Sequence, residues 1–204
     1  MQPFTTLTAV AAPLDIANVD TDKIIPARLL RKLRAPPDGY APYLFHDVRR
    51  DPAGNERSDF VLNQAPYRNA GIIVADVNFG CGSSREGAVY AMMDSGIRSV
   101  IAPSFGDIHY ANEIQNGMLP VILPEETCRD IRAQLHAKPG ATLTIDLEAQ
   151  TVTDTQGKQH RFRIDAVYKE RLLKGLDEVG LVLQHLPEIE AFEKKHHAEH
   201  AWLA

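Results

Sequence analysis

Residues 71–86, GIIVADVNFGCGSSRE, decide how the chain folds. The first six form a short apolar run of the length a buried strand needs, and Asn78 to Ser84 is a glycine-rich turn. Residues 85–95 then set Ala88, Ala91 and Met92 on one helical face. Downstream the order repeats: residues 98–102 (RSVIA) predict a strand, 106–116 a helix and 119–123 (LPVIL) a third strand. Strands alternating with helices at this spacing imply parallel βαβ units joined by right-handed crossovers.

Upstream of that unit, residues 5–12 (TTLTAVAA) predict a strand and 27–33 (ARLLRKL) have helical composition. Ala35-Pro36-Pro37-Asp38-Gly39 then breaks the pattern, and residues 47–58 are polar and loop-like. After residue 123 the period changes. Residues 125–137 suit a helix with Thr127 as a cap, whereas 142–148, 150–155 and 160–165 alternate as strands, with a turn at Gly157. Residues 166–174 and 187–197 read as closing helices. The expected fold class is α/β. Its sheet is mixed, with parallel units in the middle and a C-terminal β-meander plus helices, in one domain over 1–195 with a polar tail over 196–204.

The 204 residues suffice for one well-buried core. A formal charge of −5 without a basic stripe gives no basis for nucleic-acid binding. The densest basic run, Arg28, Arg31, Lys32 and Arg34, suits a solvated face or a small anion site. No apolar run approaches the roughly 20 residues of a membrane span, and Met1 to Phe4 lack the features of a signal peptide. Two cysteines, Cys81 and Cys128, make no disulfide framework, which points to a reducing compartment and hence the cytoplasm.

The turn from Phe79 to Glu86 sits where a strand ends and a helix begins, so unpaired amides and the positive end of the helix dipole face one small volume. Gly80 and Gly82 permit close approach to the backbone, Ser83 and Ser84 add hydroxyls, and Arg85 adds a fork for a carboxylate. A structural alternative stands beside this. Ser83 with Glu86 spells S-x-x-E, the capping box. Neither a dinucleotide fingerprint nor a P-loop is matched, since Arg85 takes the third glycine's place and Gly-Lys-Ser/Thr is missing. His196, Glu199 and His200 spell H-x-x-E-H in the polar terminal segment with no third ligand in evidence, and His109 stands alone as a structural histidine.

Asn78 to Glu86 closely resembles the G-x-G-S-S-R-E signature of the swivelling domain of the aconitase superfamily, and is most similar to the small subunits of 3-isopropylmalate dehydratase. The resemblance spans nearly the whole chain, through Asn18 to Pro26, Ile101 to Ile108, Asn116 to Val121 and Gly175 to Leu181. It implies a swivelling β/β/α domain and a hydro-lyase that moves a hydroxyl between neighbouring carbons of a 2-hydroxy diacid. It assigns proton abstraction to Ser83 and substrate binding to Ser84, Arg85, Asp22 and Arg34, with no metal held by this chain. A 4Fe–4S cluster, acting as Lewis acid, is implied on a separate large subunit, because two cysteines without C-x-x-C cannot supply it.

The sequence departs from the family pattern at Gly87, Ala88, Val89 and Tyr90, where relatives carry His followed by Ala-Pro-Trp, and in the 34–43 loop, which holds Pro36-Pro37. These departures predict a pocket reshaped around the substrate's substituent. A related diacid of methylmalate or homoaconitate type is the alternative substrate, and a non-catalytic anion-binding module the alternative class.

Overall fold

The computed structural model describes residues 1–203, and its centre is the strand read from residues 71–76. That strand, β2 (Ile72–Ala75), lies parallel between β1 (Thr6–Leu14) and β3 (Ser99–Ala102), and β4 (Leu119–Ile122) extends the parallel set to the sheet edge. Pro120 is tolerated in β4 because an edge strand leaves one side without ladder partners. On its other side β1 pairs antiparallel with β5 (Thr142–Asp146), followed by β6 (Thr151–Thr153) and β7 (Gln159–Arg161). The result is a seven-stranded mixed sheet in the order β4-β3-β2-β1-β5-β6-β7.

Residues alternate strictly between the two faces of the parallel strands. Ile73, Ala75, Val100 and Ala102 join one apolar cluster, and Ile72, Val74, Ile101 and Val121 the other. Both faces are therefore covered, which is why these strands read as unbroken apolar runs rather than as alternations. The first face is capped by α3 (Glu86–Asp94) through Ala88, Val89, Ala91 and Met92. The second is capped by α4 (Asp107–Gln115) through Ile114 and by α5 (Glu125–Ala137) through Cys128, Ile131 and Leu135.

Several expectations are sharpened. Helices over 125–137 and 166–174 appear as α5 and, once shorter helices are counted, as α6 (Ala166–Lys174), the latter capped by Asp165 and closed by left-handed Gly175. Thr127 does not cap α5. The helix starts at Glu125 after Pro124, whose fixed φ already suits a helix entrance. Residues 27–33 form only a 3-10 turn, Ala27–Arg31, with no buried residue to reward a longer helix. Residues 35–70 hold one short helix, α2 (His46–Arg49), and 3-10 turns, yet bury Leu44, Phe45, Phe60, Leu62 and Tyr67 on the first face of the sheet. The remaining helices are α1 (Thr21–Ile24), α7 (Glu178–Leu183) and α8 (Leu186–Glu199). α8 runs unbroken through residue 196, so the first residues assigned to a polar tail are its last turn, and Ala204 lies outside the described residues. No described helix is long and apolar enough to cross a membrane.

Burial differs between the centre and the edge of this sheet, and stability should follow. Ile72→Ala, at a fully buried position, should lower the unfolding free energy by about 2–5 kcal/mol, read as a lower urea midpoint at constant slope. Ile122→Ala, 45% exposed on β4, should change it by about 0.5 kcal/mol or less.

Candidate active site

Three backbone segments meet at residues 77–83. From one side Asn18 N donates to Val77 O at 2.9 Å, Gly80 N to Val19 O at 2.7 Å and Thr21 N to Cys81 O at 2.9 Å. From the other, Phe79 N donates to Ser104 O at 3.0 Å and Gly106 N to Phe79 O at 2.8 Å. The turn between β2 and α3 is thus a seam stitched to the segments after β1 and β3. Gly80 has φ +70° and no room for a Cβ, which would overlap the ring of His109. Gly106 presses on the same spot, since a Cβ there would come 2.6 Å from Gly80 O.

Beyond the seam the chain rises to solvent. Ser83 and Ser84 are exposed, and Thr21 Oγ1 holds the Ser83 carbonyl at 3.0 Å. Arg85 is the residue before the first helical turn, with Glu86 opening α3. This removes the capping-box alternative. Ser83 stands two residues too early to cap, and Glu86 accepts from Asn116 Nδ2 at 2.9 Å rather than reaching back. Arg85 Nη1 pairs with Asp22 Oδ1, and Arg85 Nη2 lies 3.5 Å from Ser83 Oγ. Asp22 also accepts from Ala27 N at 3.1 Å, so it anchors the 3-10 turn and the arginine together. The hydrogen bond from Arg85 holds the Asp22 carboxyl below its usual range.

Ser83, Ser84, Arg85 and Asp22 are thereby brought together. Arg34 is not. Both its Nε and Nη2 donate to Asp94, at 2.8 and 2.7 Å, and its guanidinium lies 4.1 Å from the centre of the Tyr90 ring. Asp94 Oδ2 accepts from Tyr40 N at 2.7 Å as well. Burial raises the Asp94 carboxyl, but Arg34 and the Tyr40 amide outweigh it and leave it below its usual range. The 33–43 loop is therefore fastened to α3 by one carboxylate. The space expected beside Gly87 is also filled, because a Cβ there would run into Leu30 Cδ2. The room left by the missing side chain at 87 is taken by the tip of Leu30.

Sequence reading missed Thr21, Asp94 and Glu113. The last forms a buried pair with His109, one helical turn away on α4, at 3.0 Å. The His-x-x-x-Glu spacing on a helix was the signal for that pair. Cys81 is half-buried in the seam, and burial pushes the Cys128 thiol up to about 12. The H-x-x-E-H stretch holds its first and last rings stacked, with His196 and His200 centroids 4.5 Å apart. Among the described residues no three His, Cys, Asp or Glu side chains converge as a metal site. A cleft of about 540 Å³ is lined by Arg28, His46, Asp47 and Arg50, and none of the four site residues borders it.

Known proteins match along the whole chain. The family model for the aconitase C-terminal domain matches residues 1–126, and the LeuD_N model matches 130–166. Small subunits named 3-isopropylmalate dehydratase are similar throughout. The one from Gluconacetobacter diazotrophicus is 48% identical over 202 residues, covering 99% of this chain and 97% of that protein. That of Parvibaculum lavamentivorans is 49% identical over 203 residues, covering all of both. A crystal structure of 3-isopropylmalate dehydratase (leuD) from Methanocaldococcus jannaschii superposes with a TM-score of 0.63 at 29% identity, covering 94% of this chain and 99% of that one.

The fastening of the 33–43 loop rests on Asp94, which yields a direct check. Asp94→Asn should leave the core intact and speed tryptic cleavage at Arg31, Lys32 and Arg34 several-fold, followed by mass spectrometry of the native protein.

Proposed function

The chain belongs to the family of 3-isopropylmalate dehydratase small subunits, and on that premise we propose that it serves as the serine- and arginine-bearing half of that hydro-lyase. Together with a large subunit it isomerises 2-isopropylmalate to 3-isopropylmalate by dehydration and rehydration, in leucine biosynthesis. The observation that carries the site assignment is the solvent-facing group Ser83-Ser84-Arg85. It is tied at the Ser83 carbonyl by Thr21, charged by one arginine, and open rather than enclosed. An exposed hydroxyl beside a guanidinium is half of a site, and a partner surface would complete it and exclude water.

Within that reading Ser83 Oγ, as alkoxide, takes the proton from the carbon next to a substrate carboxylate and becomes a hydroxyl. The electron pair left on carbon forms the alkene as hydroxide departs from the neighbouring carbon. The alkoxide's cost is lowered by the Arg85 charge and by the amides at the start of α3. Ser84 and Arg85 hold the carboxylate, the latter through its fork, while Asp22 fixes the guanidinium's orientation. Arg34 is assigned to holding the 33–43 loop on α3. For it to meet a second carboxylate, Asp94 would have to release it.

Cys81 in the seam and Cys128 inside α5 lie on separate elements and do not suit a cluster, so the 4Fe–4S group is assigned to the large subunit. Two unpaired cysteines favour the cytoplasm. Residues 1–195 are taken as one swivelling domain, to which the last turn of α8 is appended.

Two experiments test this. Purified alone, the chain should be colourless and should not turn over 2-isopropylmalate, and anaerobic addition of a cluster-bearing large subunit should restore turnover. Iron-dependent turnover by this chain by itself, or preference for methylmalate or a homoaconitate-like diacid in the reconstituted pair, would sink the assignment. In that pair Ser83→Ala should lower kcat on the order of 10³-fold with the subunits still associated. Arg85→Lys should chiefly raise KM, because it keeps the charge and loses the fork.

A further inference from the structure

A polar pair is buried directly beneath the seam, and the mechanism above does not use it. His109 and Glu113 are 2% and 0% exposed and face each other one turn apart on α4, with Nε2 and Oε1 3.0 Å apart. None of the four polar atoms, His109 Nδ1 and Nε2 or Glu113 Oε1 and Oε2, makes an aligned hydrogen bond among the described residues, so the 3.0 Å ion-pair contact is the polar link each side chain has. The imidazole lies against Gly80 so closely that no Cβ fits between them, and meets the Phe79 ring edge-on at 5.6 Å between centroids. Gly80 is three residues before Ser83, and its amide and the Cys81 carbonyl are bonded to the 19–21 segment that also holds the Ser83 carbonyl.

We propose that His109 and Glu113 are a positioning pair. Glu113 fixes the plane of the imidazole, and that plane sets the height of Gly80 and, through it, of Ser83 and Arg85. A buried imidazole nitrogen deprived of its only polar neighbour will tilt toward another partner or admit water, because an unmade hydrogen bond in the interior is costly. The ring has no slack against Gly80, so a tilt is passed directly to the backbone. Burial raises the Glu113 carboxyl, with the His109 contact opposing it. The role argued here is mechanical, and a planar ring held by an apolar neighbour of similar volume should perform it equally.

The inference rests on the assignment of Ser83 as base, and the test keeps the two separable. Glu113→Leu fills the volume but cannot bond the imidazole. In the reconstituted complex, well below Tm, it should lower kcat on the order of tenfold while KM for 2-isopropylmalate stays within about twofold. His109→Phe/Glu113→Leu should return kcat to within about threefold of the parent, since a phenyl ring seeks no polar partner. Glu113→Gln, which still offers an oxygen to Nε2, should behave as the parent. Should Glu113→Leu not fold, Glu113→Thr, too short to reach Nε2, carries the same expectation. An unchanged kcat in Glu113→Leu, a double variant no faster than the single, or a slow Glu113→Gln would each overturn the proposal. A purely structural pair would move Tm alone. Independently of activity, the Gly80 amide resonance of the isotope-labelled chain should shift in Glu113→Leu and return in the double variant. If it does so while the parent complex fails on 2-isopropylmalate, the functional assignment falls and the mechanical link stands.

Discussion

Everything at the site depends on one crowded point of backbone, Gly80. Four elements approach it within van der Waals limits: its amide reaches Val19, its carbonyl is pressed by Gly106, its Cα carries the His109 ring, and the turn itself leaves β2. Only a residue without Cβ satisfies all four while holding φ at +70°. Segments that follow three different strands are thus locked at one end of the parallel sheet. Side chains attached just beyond that lock inherit its rigidity. Ser83 is exposed and Arg85 half-buried, the first held at its carbonyl by the Thr21 hydroxyl and the second at its guanidinium by Asp22, which suits groups that must remain accessible and still not wander.

The arrangement divides labour between a stiff base and an incomplete surface. The sheet is covered on both faces by apolar clusters, so the end of the sheet is the place left for chemistry, as in other open α/β sheets. There the chain presents hydroxyls, a guanidinium and a carboxylate without walls around them. Such an open group has little power to exclude water or to concentrate a diacid, and gains both when a second surface closes over it. The full-length similarity to dehydratase small subunits and the openness of the site therefore point the same way.

How much of this was legible in the residues varied with the kind of signal. The strand at 71–76, the turn and α3 were plain, because period and turn chemistry agree there. The extents of α5 and α6 were equally readable in the residues, although the cap expected at Thr127 was not the one the helix uses. The stretch from 35 to 70 was not. Its buried side chains, such as Phe45, Phe60 and Tyr67, obey no period, since they come from loops and short turns that meet the sheet one residue at a time. At the site, the serines and Arg85 announced themselves by motif. The partner of Arg34, however, lies 60 residues away in Asp94, a distance no local rule spans. His109 was visible and its burial was not, so its dependence on Glu113 surfaced only with the fold.

The contact between Leu30 and Gly87 has a consequence for how relatives of this chain can diverge. The tip of the leucine occupies the volume a side chain at 87 would claim, so any larger residue at 87 obliges Leu30 to turn aside or shrink. A bulkier residue at 87 is met by a turned Leu30 side chain, by a smaller residue at 30, or by a shift of the Ala27–Arg31 turn. Along a lineage the two sites should exchange size as a couple. Grafting the turn from a cousin without its partner on α3 would then transplant a collision rather than a preference.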